Sequence, residues 1–205
     1  MAVAKEEYDD IRFEITPGSM DSPAFKQAKE NGDMIMNMDR APILVTPDGE
    51  IIGQSKAIER YLARRFQLMG SSEVEAAQID CITEHCRDVK DAAMRKRFSP
   101  FVKDKSDEEK EADKKVWFEE EMPTMLSKME RAIQETSKAK GCAVGSTISL
   151  ADITIYMLLA GGFPMYREVS MQAAEKCPVL LDIVDTVKSH PEVAAWLEKR
   201  PDNMF

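Results

Sequence analysis

Gln54 and Ser55 are the residues best placed to do chemistry, because they stand where a strand-turn-strand gives way to a helix. Ala41-Pro42-Ile43-Leu44-Val45 reads as the first strand and Ile51-Ile52 as the second, joined through Thr46-Pro47-Asp48-Gly49-Glu50. Pro47 presets φ for the first corner of the turn, and Gly49 can take the positive φ needed to rejoin the second strand. From Ser55 onward, Ala57, Ile58, Tyr61, Leu62 and Phe66 recur at helical spacing. The Ser55 hydroxyl and the unpaired N–H groups of that first turn therefore point beyond the helix end, where a small carboxylate would fit.

Other chemistry-bearing residues make weaker patterns. Cys81, Cys86, Cys142 and Cys177 form no C-x-x-C pair and have no histidine at ligand spacing, so no metal site is expected. Cys81 and Cys86 lie on one expected helix, roughly 140° apart around its axis, and face different ways. His85 and Cys86 are helix neighbours and do not face each other, which argues against a nucleophile–base pair. Reduced, mostly packed thiols are expected.

Several elements must position these residues. Tyr8 to Ile15 alternates apolar and polar side chains and stops at Thr16-Pro17-Gly18, the pattern of a strand followed by a breaker. Ser22 to Glu30 predicts a short helix ending at Asn31-Gly32, and the helix from Ser55 is expected to run to about Leu68. Beyond Gly70-Ser71-Ser72 nearly everything has helical periodicity. Glu73 to Phe98 predicts a long amphipathic helix with Val74, Ala77, Ile79, Ile82, Val89, Ala93 and Met94 as its apolar residues. Lys103 to Glu121 is a charge run read as a solvated helix face, although it contains Val116, Trp117 and Phe118. Pro123 to Thr136 continues with Leu126, Met129 and Ile133 on one stripe. Ser149 and Asp152 have capping-box spacing, with Ile148 and Ile153 placed as a hydrophobic staple.

These pieces, in this order, resemble the cytosolic glutathione transferases, most closely their sigma-like classes. The resemblance rests on Ala41-Pro42-Ile43-Leu44, the Asp48-Gly49 hairpin, Gln54-Ser55 and Ala57-Ile58-Glu59-Arg60-Tyr61-Leu62. It extends to Ser149-Leu150-Ala151-Asp152-Ile153 and to the ending from His190-Pro191 to Pro201. It implies an α/β plus all-α fold: an incomplete thioredoxin-like, glutathione-binding domain over residues 1–69, then an all-helical domain over 73–205. By resemblance, Gln54 and Ser55 receive the γ-glutamyl end of glutathione, and Ala41 offers its backbone N–H and C=O to the cysteinyl part as an added strand would. Pro42 is then cis, and Arg40 approaches the ligand. The resemblance also implies a homodimer in which Asp88 reaches across a two-fold interface to the γ-glutamyl ammonium. A second, apolar site for a small hydrophobic electrophile is expected near Met94, Arg95 and Phe98. Asp152 is read as a folding residue.

Composition agrees with such a protein. The chain has 205 residues and a formal net charge of −9, which argues against nucleic acid and anionic membrane as partners. It has neither an apolar run of about 18 residues nor the apolar core of a signal peptide, so a cytoplasmic location is expected.

One departure from the family pattern bears on function. Ala4 to Phe13 resembles the end of the family's first helix and its second strand, so the strand and helix that carry the activating Tyr, Ser or Cys are unmatched. Tyr8, Tyr61, Tyr156 and Tyr166 do not match that residue either. Three explanations fit: a shortened enzyme, a fold rearranged by pairing across a dimer, or a degenerate binder. Two functions stay open, a transferase joining the glutathione thiol to an electrophile and a noncatalytic binding or interaction module.

Overall fold

The computed structural model of the chain describes residues 2–16, 19, 21–161 and 164–200. The chain folds as two units, one comprising essentially residues 3–66 and the other 67–205.

In the first unit, helix α1 (Pro23–Glu30) starts as its residues require. Ser22 is the N-cap, its hydroxyl accepting from the Phe25 N–H at 3.4 Å, and Pro23 occupies the first turn, where its missing N–H costs nothing. Strands β1 (Ile43–Val45) and β2 (Ile51–Gly53) form a two-stranded antiparallel sheet in which Leu44 faces Ile52. The turn closes through the Gly49 N–H to the Thr46 carbonyl at 2.9 Å, with Gly49 at φ +86°. Helix α2 (Ser55–Arg65) follows β2 directly, and it ends before Leu68 because Gln67 turns to φ +59°.

The strand expected over Tyr8–Ile15 does not form. Alternation specifies a face, but a strand also needs a neighbour for its N–H and C=O groups, and among the described residues none pairs with this segment. Ile11 is accordingly 82% exposed, while Phe13 is held by the ring of Phe25 at 5.2 Å. Pro17 and Gly18 of the expected breaker lie outside the described residues, as does Pro201.

The second unit is helical. Helix α3 (Glu73–Lys96) buries Ile79, Ile82, Cys86 and Val89 and leaves Val74 and Met94 exposed. Helix α4 (Asp107–Val116) buries none of its residues and begins at a Ser106–Glu109 capping box. The charge run is thus solvated over α4, but Trp117, which opens a π-helical turn (Trp117–Glu121), lies in the core and is 1% exposed. Helix α5 (Met122–Thr136) buries Leu126, Met129 and Ile133. Helix α6 (Leu150–Tyr156), extended by a second π-helical turn (Met157–Gly161), packs on α3 and on α8 (Pro178–Ser189). Short α7 (Arg167–Ala173) and terminal α9 (Pro191–Lys199) complete the unit. No described helix is long and apolar enough to cross a membrane.

Buried carboxylates tie this unit together, Asp152 and Glu75 among them. Asp152 accepts from the backbone N–H groups of Ala143 and Ser149 and from the Ser149 hydroxyl. Glu75, in the first turn of α3, accepts from the N–H and hydroxyl of Ser71 and from the Lys138 ammonium, each at 2.7 Å. The lysine, followed by the two Ser71 donors, holds the Glu75 carboxyl at about 2, well below the ordinary 4.5. A depressed carboxylate stabilises the folded state above its unfolded pKa. The Glu75 contribution is therefore complete above pH 4.5 and is lost as pH falls from 4.5 toward 2. Glu75→Gln should lower the melting temperature at pH 7 and flatten that part of the acid limb, which thermal melts followed by circular dichroism between pH 2 and 7 will check.

Candidate functional site

The hairpin and the start of α2 bring Gln54 and Ser55 to one end of the first unit. Gln54 is the residue before α2 and stands at φ +66°, with its side chain exposed and making no cap to the helix. The first intrahelical bond runs from the Ile58 N–H to the Gln54 carbonyl, so the N–H groups of Ser55, Lys56 and Ala57 have no helical acceptor. The Ser55 side chain is exposed and without a bond to the described residues. Three backbone donors, a hydroxyl and the positive end of the helix dipole converge there, which is the donor set a carboxylate requires.

The other half of the site is the segment leading into β1. The Ala41–Pro42 peptide is cis, as the resemblance implies, and both residues are exposed. The Ala41 N–H and C=O are engaged by none of the described residues, so this edge can accept an extended backbone. Arg40 is exposed, and its guanidinium lies 3.6 Å from the Met38 sulfur, which is also 3.9 Å from the Gln54 amide nitrogen.

Asn37, a residue that sequence reasoning passed over, joins the two halves. It is 2% exposed, and its amide nitrogen donates to the carbonyls of Arg40 and Pro42, both at 2.8 Å. Its side-chain oxygen accepts from the Gln54 N–H at 2.9 Å. Gly53 permits this approach: a Cβ there would collide with the Met36 carbonyl oxygen and stand 2.9 Å from the Asn37 Cα. The available sequence signal was the glycine at the end of a strand, a mark of close backbone approach.

The remaining candidates lie in the helical unit. Asp88 is an exposed residue of α3. Met94 and Arg95 are exposed near the end of that helix, but Phe98 is buried, its ring packed against Phe118 at 5.7 Å and edge-on to Tyr166 at 5.5 Å. These three residues therefore do not share one open surface. Tyr166 is pushed above its ordinary pKa by burial and then by the charge of Glu111, the opposite of what a thiol-activating hydroxyl needs. Cys86 is buried against the Met129 sulfur, and His85 meets the Met125 carbonyl at 3.2 Å, so both pack α3 on α5. Cys81 is exposed, and the four cysteines are in no disulfide. No cluster of potential metal ligands occurs among the described residues.

Comparison with known proteins bears on the whole chain. The family model of the glutathione S-transferase C-terminal domain matches residues 92–200. Hematopoietic prostaglandin D synthase of Gallus gallus is 30% identical over 200 residues, covering 98% of this chain and 87% of that protein. Glutathione S-transferase S1 of Drosophila melanogaster is 28% identical over 202 residues, covering 98% and 71% respectively. Among solved structures, a Nu-class transferase from Haemonchus contortus superposes with a TM-score of 0.78 at 25% identity, covering all of this chain and 89% of that one. One match takes in more than half of the sequence and the others nearly all of it, and the chain accordingly belongs to the cytosolic glutathione S-transferase family.

Proposed function

We propose that this chain binds glutathione at the Gln54–Ser55 end of α2 and joins its thiol to small hydrophobic electrophiles. The observation that carries the reading is the convergence at one place of the free first turn of α2, the Ser55 hydroxyl and the Gln54 amide. The γ-glutamyl carboxylate accepts from these donors, while the cysteinyl backbone pairs with the open edge at Ala41 beside Pro42. Arg40 adds a positive charge on the same side. In the conjugation the thiol gives up its proton and its sulfur bonds to carbon, while the electrophile releases a leaving group, such as the halide of an aryl halide, or opens a π-bond that takes up the electron pair. A thiol of pKa about 8.5 needs help to ionise at neutral pH. No residue is assigned that activating role. The family resemblance supports a cytoplasmic homodimer in which Asp88 meets the γ-glutamyl ammonium of the opposite subunit, and an electrophile site on the Met94–Arg95 face of α3.

A noncatalytic glutathione-binding module is the second reading, and one observation favours it. Ser55 is the single hydroxyl among the assigned contacts Arg40, Ala41, Pro42, Gln54 and Ser55, and it stands at the γ-glutamyl end, away from the thiol. Turnover of an activated aryl halide with glutathione separates the two. The transferase reading requires measurable turnover, with KM for glutathione raised roughly tenfold in Gln54→Ala and in Ser55→Ala, as expected for a charged group left short of a hydrogen bond. Binding without turnover selects the noncatalytic module.

A further inference from the structure

We propose that Asn37 is the positioning residue of the glutathione site, setting the spacing between the Ala41 edge and the Gln54–Ser55 helix end. The inference rests on the glutathione reading above and concerns how this chain builds that site.

A buried side-chain amide has two N–H donors and a carbonyl acceptor, and Asn37 directs all three at the two halves of the site. Its donors hold the carbonyls of Arg40 and Pro42, the residues flanking Ala41, at 2.8 Å. Its acceptor holds the N–H of Gln54, the last residue before α2, at 2.9 Å. The segments so joined are far apart in the chain and separated by the hairpin. Within the hairpin the ladder pairs Ile43 with Gly53 and extends no further toward Ala41 or Gln54. The Asn37 side chain spans the step beyond the ladder, where the ligand contacts begin. Neighbouring geometry enforces the arrangement: Met38 and Asp39 follow at φ +50° and +59°, which turns the chain back toward Arg40, and Gly53 admits the Asn37 backbone without a Cβ in the way. Asn37 itself touches no ligand in this scheme and acts through the groups it holds.

Asn37→Asp is the discriminating variant because it keeps the shape and the acceptor for Gln54 while removing both donors. An ionised carboxylate would face the two carbonyl oxygens, whereas a protonated one can again donate to one of them, so its protonation is favoured by burial and by those oxygens. Calorimetric titration of the full chain with glutathione from pH 5.5 to 8 should show the variant binding roughly tenfold more weakly than the unsubstituted chain at pH 8. The deficit should shrink toward pH 5.5, a pH dependence that a purely space-filling residue would not produce. Asn37→Ser, which cannot span the two segments, should bind weakly at every pH and guards against misfolding of the aspartate variant. Equal affinity of Asn37→Asp and the unsubstituted chain throughout, with Gln54→Ala still weakened, would overturn the positioning role and leave the site intact. Failure of the unsubstituted chain to bind glutathione would overturn both.

Discussion

Asp152→Ala should destabilise the helical unit by about 3 to 5 kcal/mol, because it strands two buried backbone donors, each costing about 1 to 3 kcal/mol, and removes a helix cap. Asp152 is fully buried, and its carboxylate accepts from the Ala143 N–H at 2.6 Å and from the Ser149 N–H and hydroxyl at 2.7 and 2.6 Å. The bond to Ala143 ties the loop before α6 to that helix, and α6 packs on both α3 and α8, so the loss reaches the core. Burial raises the Asp152 carboxyl above its ordinary value of 3.8, against the lowering effect of its hydrogen bonds. A raised carboxyl retains its proton in the folded state while the unfolded chain releases it. Its protonation linkage thus favours folding most below pH 3.8 and diminishes as pH rises through the folded value, opposite in sign to the Glu75 linkage. Denaturant unfolding of Asp152→Ala and Asp152→Asn at pH 7 checks the prediction. The amide can satisfy one donor set and should lose less, while a loss under about 1 kcal/mol in the alanine variant would contradict the assigned role.

Gly53→Ala should remove glutathione binding while leaving the helical unit folded. The added Cβ would collide with the Met36 carbonyl oxygen and meet the Asn37 Cβ and Cα at 2.8 and 2.9 Å. Backbone atoms cannot swing aside as a flexible side chain can, so residues 36 and 37 must shift. The strain is about 3 kcal/mol, the upper range for an extra methyl group in a packed site. That shift pulls the Asn37 oxygen from the Gln54 N–H and separates the ligand contacts. Glutathione titration alongside a far-UV circular dichroism melt tests it: retained affinity would mean that the segment tolerates the shift, whereas lost affinity with the main melt unchanged is the expected pair of results.

How much of this was legible in the sequence follows the range of the forces involved. The hairpin and the start of α2 were readable because Pro47 and Gly49 act on their own backbone within a few residues and the apolar residues from Ala57 to Phe66 recur at helical spacing. The Ser149–Asp152 box is local in the same way. Tyr8–Ile15 was misread because alternation is a property of one segment, whereas a strand is a property of two. Trp117 was hidden in a charge run because its neighbours set the local composition, whereas its burial comes from α5 and α7, separate helices that pack against the turn it opens. Asn37 was invisible for a third reason. In Met36-Asn37-Met38-Asp39 it looks like an ordinary loop residue, and its partner at Gln54 becomes apparent only when the hairpin brings the segments together.

The most direct test of the central claim is calorimetric titration of the full chain with glutathione, repeated on Gln54→Ala and Ser55→Ala. The account predicts saturable binding by the unsubstituted chain and a loss of about 1 to 3 kcal/mol in each variant. Absence of binding at millimolar glutathione, or affinity unchanged in both variants, would contradict it.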